Sequence, residues 1–322
     1  MKIVYLYPLS TFNTLLRSDT LWGLIMVAIK NIKGEKYFSE LIDAYLNNEP
    51  PFIVSSAMFF KNYDNNKIPF FPKPLFAFNQ IELNDAEEMR LYKKFKKIKW
   101  LSKKYFEKLI NGELEMLDIF NKVKNSEDLN NFCGDEIQIF NILHNSIDRM
   151  KNSTLKLNNE GQLYYKNDFY IENGGLFFLI EGDVSIIEPA LRLLRHFGYG
   201  GDTSIGKGFF DFEIGDLELN IPQTPNLLIN LSLYVPSNND LYNFNINNLW
   251  YELEFRSGKI GSKFLNTKEY RKNVVVMFKE GSVFPYNNIS KGCLVNSQII
   301  DDKKIFSCGY SINIPAYRKE VV

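Results

Sequence analysis

Lys2–Tyr7 is a run of β-branched and aromatic residues closed by Pro8, which predicts a first strand. After a polar stretch, Ser18 or Asp19 is placed to cap a helix that reaches about Ile32 and stops at Gly34. Its centre, Leu21–Ile29, is apolar nearly all round, so this helix should be sandwiched rather than exposed. A second helix, Tyr37–Leu46, ends before the Pro50-Pro51 breaker. The following stretch holds Pro69, Pro72 and Pro74, which argues against a central strand there. From Asn84 the pattern turns helical, with Asn84 and Glu87 at capping-box spacing.

Strand signals return at Glu136–Leu143, followed by a polar, hairpin-like stretch from Lys151 to about Asn173 and a dense strand, Gly175–Ile180. In the next helix, Ile186–Phe197, Leu191, Leu194 and Phe197 recur at three-residue steps beside Arg192, Arg195 and His196. A glycine-rich loop then leads to a strand from Phe209. The first 218 residues therefore read β-α-(insertion)-β-β-α-β, the split βαβ order, with the insertion after the first helix. Beyond it, Asn226–Val235, Leu249–Phe255, Asn273–Phe278 and Lys303–Ile314 are strand-like. The expectation is an α+β chain. Its first domain, 1–220, carries a helical insertion at about 35–135 and a thumb hairpin at about 150–173, and its second, 221–322, is β-rich and degenerate.

Charge changes the picture only locally. Lys plus Arg and Asp plus Glu tie at 38 in the 322 residues, so any nucleic-acid site must be a patch offset elsewhere. Residues 90–108 carry nine basic side chains against Glu107 alone, and residues 111–136 carry seven acids against Lys122 and Lys124. Such alternation suggests helical faces meant for different neighbours. The three cysteines, Cys133, Cys293 and Cys308, are too scattered for a disulfide framework or a zinc knuckle and point to a reducing compartment. The N-terminus has no signal-peptide pattern, and the longest apolar candidate, Leu21–Ile32, is interrupted by Lys30. A cytoplasmic chain with no membrane partner is expected.

The sharpest local signal is Gly198-Tyr199-Gly200-Gly201-Asp202-Thr203-Ser204-Ile205-Gly206-Lys207-Gly208. Its glycines let the backbone approach a ligand and adopt positive φ, and successive amide N–H groups can form an anion-binding nest. Gly201, Gly206 and Lys207 mimic most of a Walker A phosphate loop, but Gly208 stands where a magnesium-binding hydroxyl should. A helix also precedes the loop and a strand follows, the reverse of the P-loop order. An ordinary turn needs one or two glycines. Flanked by Arg192, Arg195, His196 and Lys207, this loop reads instead as a cradle for several phosphates of a polynucleotide.

This loop resembles the G-rich loop of the RAMP superfamily of CRISPR proteins. Two other stretches agree: Arg17-Ser18-Asp19-Thr20-Leu21-Trp22-Gly23 resembles the start of the superfamily's first helix. Asn145-Ser146-Ile147-Asp148-Arg149, with Ser153-Thr154 and Leu163-Tyr164-Tyr165, resembles the strand leading into its thumb hairpin. The resemblance implies two ferredoxin-like (RRM-like) βαββαβ domains, the second degenerate. The loop position near residue 200 and the β-rich remainder fit best the subunit of type III-A (Csm) interference complexes that holds the 5′ handle of the guide RNA. What it implies is a non-catalytic RNA-binding protein in antiviral defence. Its partners would be the guide RNA, the large polymerase-type subunit and a backbone RAMP subunit, with no cofactor or metal. A RAMP endoribonuclease that processes guide precursors is the enzymatic alternative, but there the loop lies close to the C-terminus, whereas 114 residues follow it here. The equivalent subunit of a type III-B complex would keep the function and change the partners.

The RNA-contacting set expected on these grounds is Arg17, Ser18, His144, Arg149, Thr154, Arg192, Arg195, His196, Tyr199, Gly200, Gly201, Ser204, Gly206 and Lys207. His144 is a strand-end histidine whose plain reading is a hydrogen-bonded structural ring; His196, beside the loop, suits a phosphate or base contact better than catalysis. Neither has a metal-ligating neighbour at the required spacing. Arg17 could pin a phosphate at a helix start or be a loop arginine. Leu155, Leu157 and Leu163 are apolar points on the hairpin that could wedge between bases. The lysines at 93, 94, 96, 97, 99, 103 and 104 belong either to a solvated helix face or to a docking surface.

Overall fold

The computed structural model describes residues 1–64, 66–76, 85–134, 137–148, 150–157, 160–243, 249–260, 271–286, 291–300 and 303–319. The first strand, β1 (Lys2–Pro8), buries Ile3, Val4 and Leu6 between two antiparallel neighbours from far along the chain. Helix α1 (Ser18–Lys33) buries Leu21, Trp22, Ile25, Met26, Ala28 and Ile29, a stripe at three- and four-residue steps. It ends at Gly34, whose φ of +87° favours a residue without Cβ. Helix α2 is Glu35–Leu46.

The chain then returns directly to the sheet through β2 (Phe52–Val54), β3 (Met58–Tyr63) and β4 (Asn66–Pro72). This corrects the expectation that the second strand of the order lies at Glu136–Leu143. Phe52–Phe60 is largely apolar without alternation and buried on both faces, a pattern that periodicity cannot separate from a helix. Strand β4 accommodates its prolines because β3 pairs with it through Pro69, opposite Phe60, and β5 takes over from Phe70. Each proline thus has a ladder neighbour on one side only.

Helix α3 (Ala86–Lys97) follows, then β5 (Trp100–Ser102), α4 (Lys103–Ile110), α5 (Met116–Lys124) and β6 (Phe132–Cys133). Among the described residues, the expected insertion at about 35–135 therefore holds α2, α3, α4 and α5 together with strands of the main sheet, not helices alone. The cap of α3 is Asp85, which accepts from the Glu88 N–H at 2.7 Å; Asn84, the expected cap, lies outside the described residues. Strand β7 (Gln138–Asn145) leaves the sheet. Its tip carries the short pairs β8 (Ile147–Asp148) with β9 (Ser153–Thr154) and β10 (Lys156–Leu157) with β11 (Glu160–Gly161), and β12 (Leu163–Tyr170) returns along β7. The hairpin therefore spans Gln138 to Tyr170, longer than the expected 150–173, because its outgoing arm carries the residues of a sheet strand.

Strand β13 (Gly174–Gly182), helix α6 (Val184–Phe197) and strand β14 (Phe210–Asp216) complete the N-terminal half. The sheet runs β14-β1-β13-β3-β4-β5-β6, with β2 also on β13. The helices α1 and α6 pack together on one face. On the other, Phe106 of α4 stacks on Phe71 with ring centroids 4.7 Å apart.

Among its described residues the remainder is strand-rich, as expected, with one short helix: β15 (Leu227–Asn230), α7 (Asn238–Asn243), β16 (Leu253–Arg256), β17 (Val275–Phe278), β18 (Val283–Pro285), β19 (Leu294–Ile300), β20 (Lys303–Cys308) and β21 (Asn313–Ala316). It pairs as a three-stranded β18-β15-β21 sheet and two hairpins. One continuous core joins the halves, from Ile3 and Phe177 through Leu231 to Ile312. Among the described residues, no helix is long and apolar enough to cross a membrane.

Candidate nucleic-acid interface

The glycine-rich loop links α6 to β14, as its sequence predicts, through a single 3-10 turn at Thr203–Ile205. Gly198, Gly200, Gly206 and Gly208 have positive φ, and so does Asp202. At its base the loop is closed by backbone: the Tyr199 N–H donates to the Gly208 carbonyl at 3.0 Å, and the Gly208 N–H to the Thr11 carbonyl at 2.8 Å. A Cβ on Gly208 would lie 2.0 Å from the Tyr199 carbonyl oxygen, so glycine is required there for closure. At Gly200 and Gly201 the neighbours are Thr14 and Asn13, and the Gly201 N–H donates to Asn13 Oδ1 at 2.9 Å. Much of the glycine content thus serves contacts within the protein. The tip, Ser204–Gly206, is exposed, and a Cβ on Gly206 would meet open space.

Two charged staples tie this loop to the foot of the hairpin. In the first, Lys207 Nζ donates to Asp168 Oδ1 at 2.7 Å, and Asp168, fully buried, also accepts from the Thr11 hydroxyl at 2.8 Å. In the second, Lys166 grips both oxygens of Asp202 at 2.7 and 2.8 Å, while Asn13 adds a donor at 3.2 Å. The hydrogen bond from Lys166 holds the Asp202 carboxyl below its ordinary range. His144 stacks on Tyr164, and its Nε2 lies 3.4 Å from Lys207 Nζ. By register, His144, Tyr164, Lys166 and Asp168 share the loop-facing side of the hairpin. The opposite side exposes Ile139, Leu143, Leu163 and Tyr165, the last at 72%.

The expected RNA contacts divide accordingly. Gly200, Gly201, Ser204 and Gly206 reach the surface of the loop, and Arg192, Arg195 and His196 share an exposed face of α6. Arg192 pairs with Glu188 at 2.6 Å and Arg195 with Asp211 at 3.3 Å, both in water. His144 and Thr154 lie partly exposed on the hairpin; Thr154 accepts from Asn145 Nδ2 at 2.8 Å. Arg149 falls outside the described residues.

Four of the expected contacts are engaged within the protein. Tyr199 is buried against Phe12 and Phe210, with its hydroxyl pushed upward in pKa by burial. Lys207 is turned inward onto Asp168 rather than outward to phosphate. Arg17 forms a bidentate pair with Glu280 and a second contact to Glu254, both from the C-terminal half. Ser18, 2% exposed, accepts from the Leu233 N–H at 2.8 Å. With Arg256 on Asp19 at 2.9 Å, the start of α1 is an interface between the two halves of the molecule. Asp168, Asp202, Lys166 and Asn13 hold the loop yet escaped the sequence reading. The one available signal was an acid, Asp168, just before Phe169 and Tyr170 in an aromatic-rich stretch. Among the described residues, no group of three or more His, Cys, Asp or Glu could hold a metal ion.

Residues 223–316 match the family model of the CRISPR Csm4 C-terminal domain. A protein described as "CRISPR system Cms protein Csm4" from Thermococcus onnurineus (strain NA1) is 26% identical over 229 residues, 68% of this chain and 70% of that one. Its namesake from Methanocaldococcus jannaschii is 30% identical over 174 residues, which span 49% of this chain and 45% of the relative. The fold matches a chain from the crystal structure of a Csm3-Csm4 subcomplex of the type III-A CRISPR-Cas interference complex, at a TM-score of 0.64 and 19% identity over 98% of this chain and 100% of the other. It also matches a chain of a Csm1-Csm4 cassette in complex with cA4, at a TM-score of 0.62 and 20% identity over 99% and 98%. The chain is thus similar to CRISPR proteins, the class its three motifs resemble. Within that class the chain is similar to Csm4.

Proposed function

We propose that this chain is a non-catalytic RNA-binding subunit of a type III-A CRISPR effector, and that it holds the 5′ handle of the guide RNA where the glycine-rich loop meets the hairpin. The observation that carries the reading is the stapling of an exposed loop tip to the foot of a projecting hairpin, in a chain similar to Csm4. The outer hairpin face offers aromatic and aliphatic side chains on which unstacked bases can pack. Arg192 and Arg195 supply cations whose present partners are solvent-exposed, and His196 adds an exposed ring beside them. Such pairs are weak, so a phosphate can take the carboxylate's place. The contacting set contracts to His144, Thr154, Arg192, Arg195, His196, Gly200, Gly201, Ser204 and Gly206, while Lys207 and Tyr199 hold the loop.

In this reading the N-terminal half is a ferredoxin-like domain with split units β1-α1-β3 and β13-α6-β14, and residues 221–322 form a degenerate second one. Solved assemblies contain Csm4 together with Csm1 and with Csm3. The chain accordingly bridges a large polymerase-type subunit to the backbone RAMP subunits in antiviral defence.

The test is Gly201→Val in a reconstituted effector. The added side chain meets the flexible Asn13 amide at about 3.1 Å, so the fold is retained while the loop surface is obstructed. Binding of handle-containing guide RNA is expected to fall tenfold or more, about 1.4 kcal/mol. Wild-type binding and assembly would reduce the loop to a turn. His144→Ala is expected to leave guide-precursor cleavage unchanged; cleavage that disappears with His144 would instead assign the endoribonuclease reading.

A further inference from the structure

The helix α3 lies outside the loop and hairpin, and its charge is arranged differently from every other basic region described. Arg90, Lys93, Lys94 and Lys97 recur at i, i+3, i+4 and i+7, which places them on one stripe. All four are exposed, and the stripe lies opposite Phe95, which is buried in the packing of α3 against α5. None of the four has an acidic partner among the described residues. Of the acids nearby, Glu88 is committed to Lys124 at 2.7 Å, Asp128 to Lys122 at 3.2 Å and Glu107 to Lys103 at 3.7 Å, while Glu87, one turn before Arg90, offsets a single charge of the four. In a chain whose charges sum to zero, this leaves a net positive ridge.

We infer that this ridge is a second docking surface, and that its occupant is the phosphate backbone of single-stranded RNA, held by charge without regard to sequence. Two observations favour RNA over an acidic protein. Protein interfaces are depleted of lysine and built around aromatic or aliphatic anchors, whereas this stripe is three lysines and an arginine. The one large apolar side chain exposed on the helix is Met89, beside the stripe. The stripe also has the right length. Seven residues of helical rise cover about 10 Å, the reach of about three stacked nucleotides of one strand. The ridge is independent of the loop and does not rest on the handle-binding reading.

The experiment compares two triple variants of the full chain with equal changes of net charge. Lys93→Gln, Lys94→Gln and Lys97→Gln neutralise the ridge; Lys103→Gln, Lys122→Gln and Lys124→Gln neutralise lysines that are already paired. Binding of fluorescein-labelled oligouridylate is titrated across a salt series, with polyglutamate as the acidic-polypeptide probe and thermal melts to verify folding. Three lost phosphate contacts should flatten the slope of log K against log salt by about 2 in the ridge variant alone. Equal changes in both variants would mean that only overall charge matters, and would overturn the inference. So would an unchanged slope in the ridge variant, or wild-type binding of polyglutamate as tight as that of RNA and lost with the ridge, which would assign the surface to an acidic protein. A Gly201→Val variant that keeps the ridge-dependent slope separates this surface from the loop.

Discussion

The lysines at the glycine-rich loop and those on helix α3 are placed in opposite circumstances. Lys207 is folded under the loop against a fully buried carboxylate, and Lys166 is spent on Asp202. On α3, Lys93, Lys94 and Lys97 stand in water with no acidic partner among the described residues. A lysine near a phosphate-binding signature is therefore not thereby a phosphate ligand. Near the loop, positive charge holds the backbone in shape; on the helix it faces solvent.

The comparison is easiest to break at Asp168. Replacing it with Ala leaves the Lys207 ammonium buried without its counter-ion, and removing one partner of such a pair costs about 3–5 kcal/mol. Urea unfolding of Asp168→Ala should show a loss of that size, together with faster amide exchange at residues 198–208. A loss below about 1 kcal/mol would mean that Lys207 reaches water and belongs with the α3 lysines. An intermediate case is Lys207→Ala, which should lower stability but leave the salt slope of RNA binding within about 0.3 of wild type, less than half of one single-strand contact. A full contact's worth of slope lost with Lys207 would return it to the RNA-binding set. Smaller still, Arg192→Ala removes an exposed i,i+4 pair and should change the unfolding free energy by about 0.3–0.5 kcal/mol, with its main effect on RNA affinity.

The smallest expected effect is on the acid side. Because the Asp202 carboxyl is held below its ordinary value of 3.8, the staple with Lys166 stabilises the fold above that pH. It is lost as the pH falls from there through the lowered value. An acid titration of loop stability should show this loss in the wild type, and Lys166→Met should abolish it.

Much of the architecture was legible in the chain. Lys2–Tyr7, the helix stopped by Gly34, the helix before the loop and the strand after it all lie where their patterns put them, because each combines a clear period with a clear stop. The strands β2 and β3 were missed because residues buried on both faces lose the alternation that marks a strand. The outgoing arm of the hairpin reads as a sheet strand because Gln138–Asn145 is rich in β-branched, aliphatic and aromatic residues. Here its outer apolar residues face solvent instead of a core.

By itself, the sequence determined the α+β order, the place of the glycine-rich loop between a helix and a strand, and the strand-rich second half. Period, proline, glycine and capping residues act over a few neighbours and need no knowledge of the rest of the molecule. Only the tertiary structure decided which charges face the solvent. Arg17 meets Glu280 across 263 positions of sequence, and Lys207 meets Asp168 across 39. A buried cation is stable only beside its counter-ion, so its availability is a property of the pair, and a pair closed by folding leaves no mark on either neighbourhood alone.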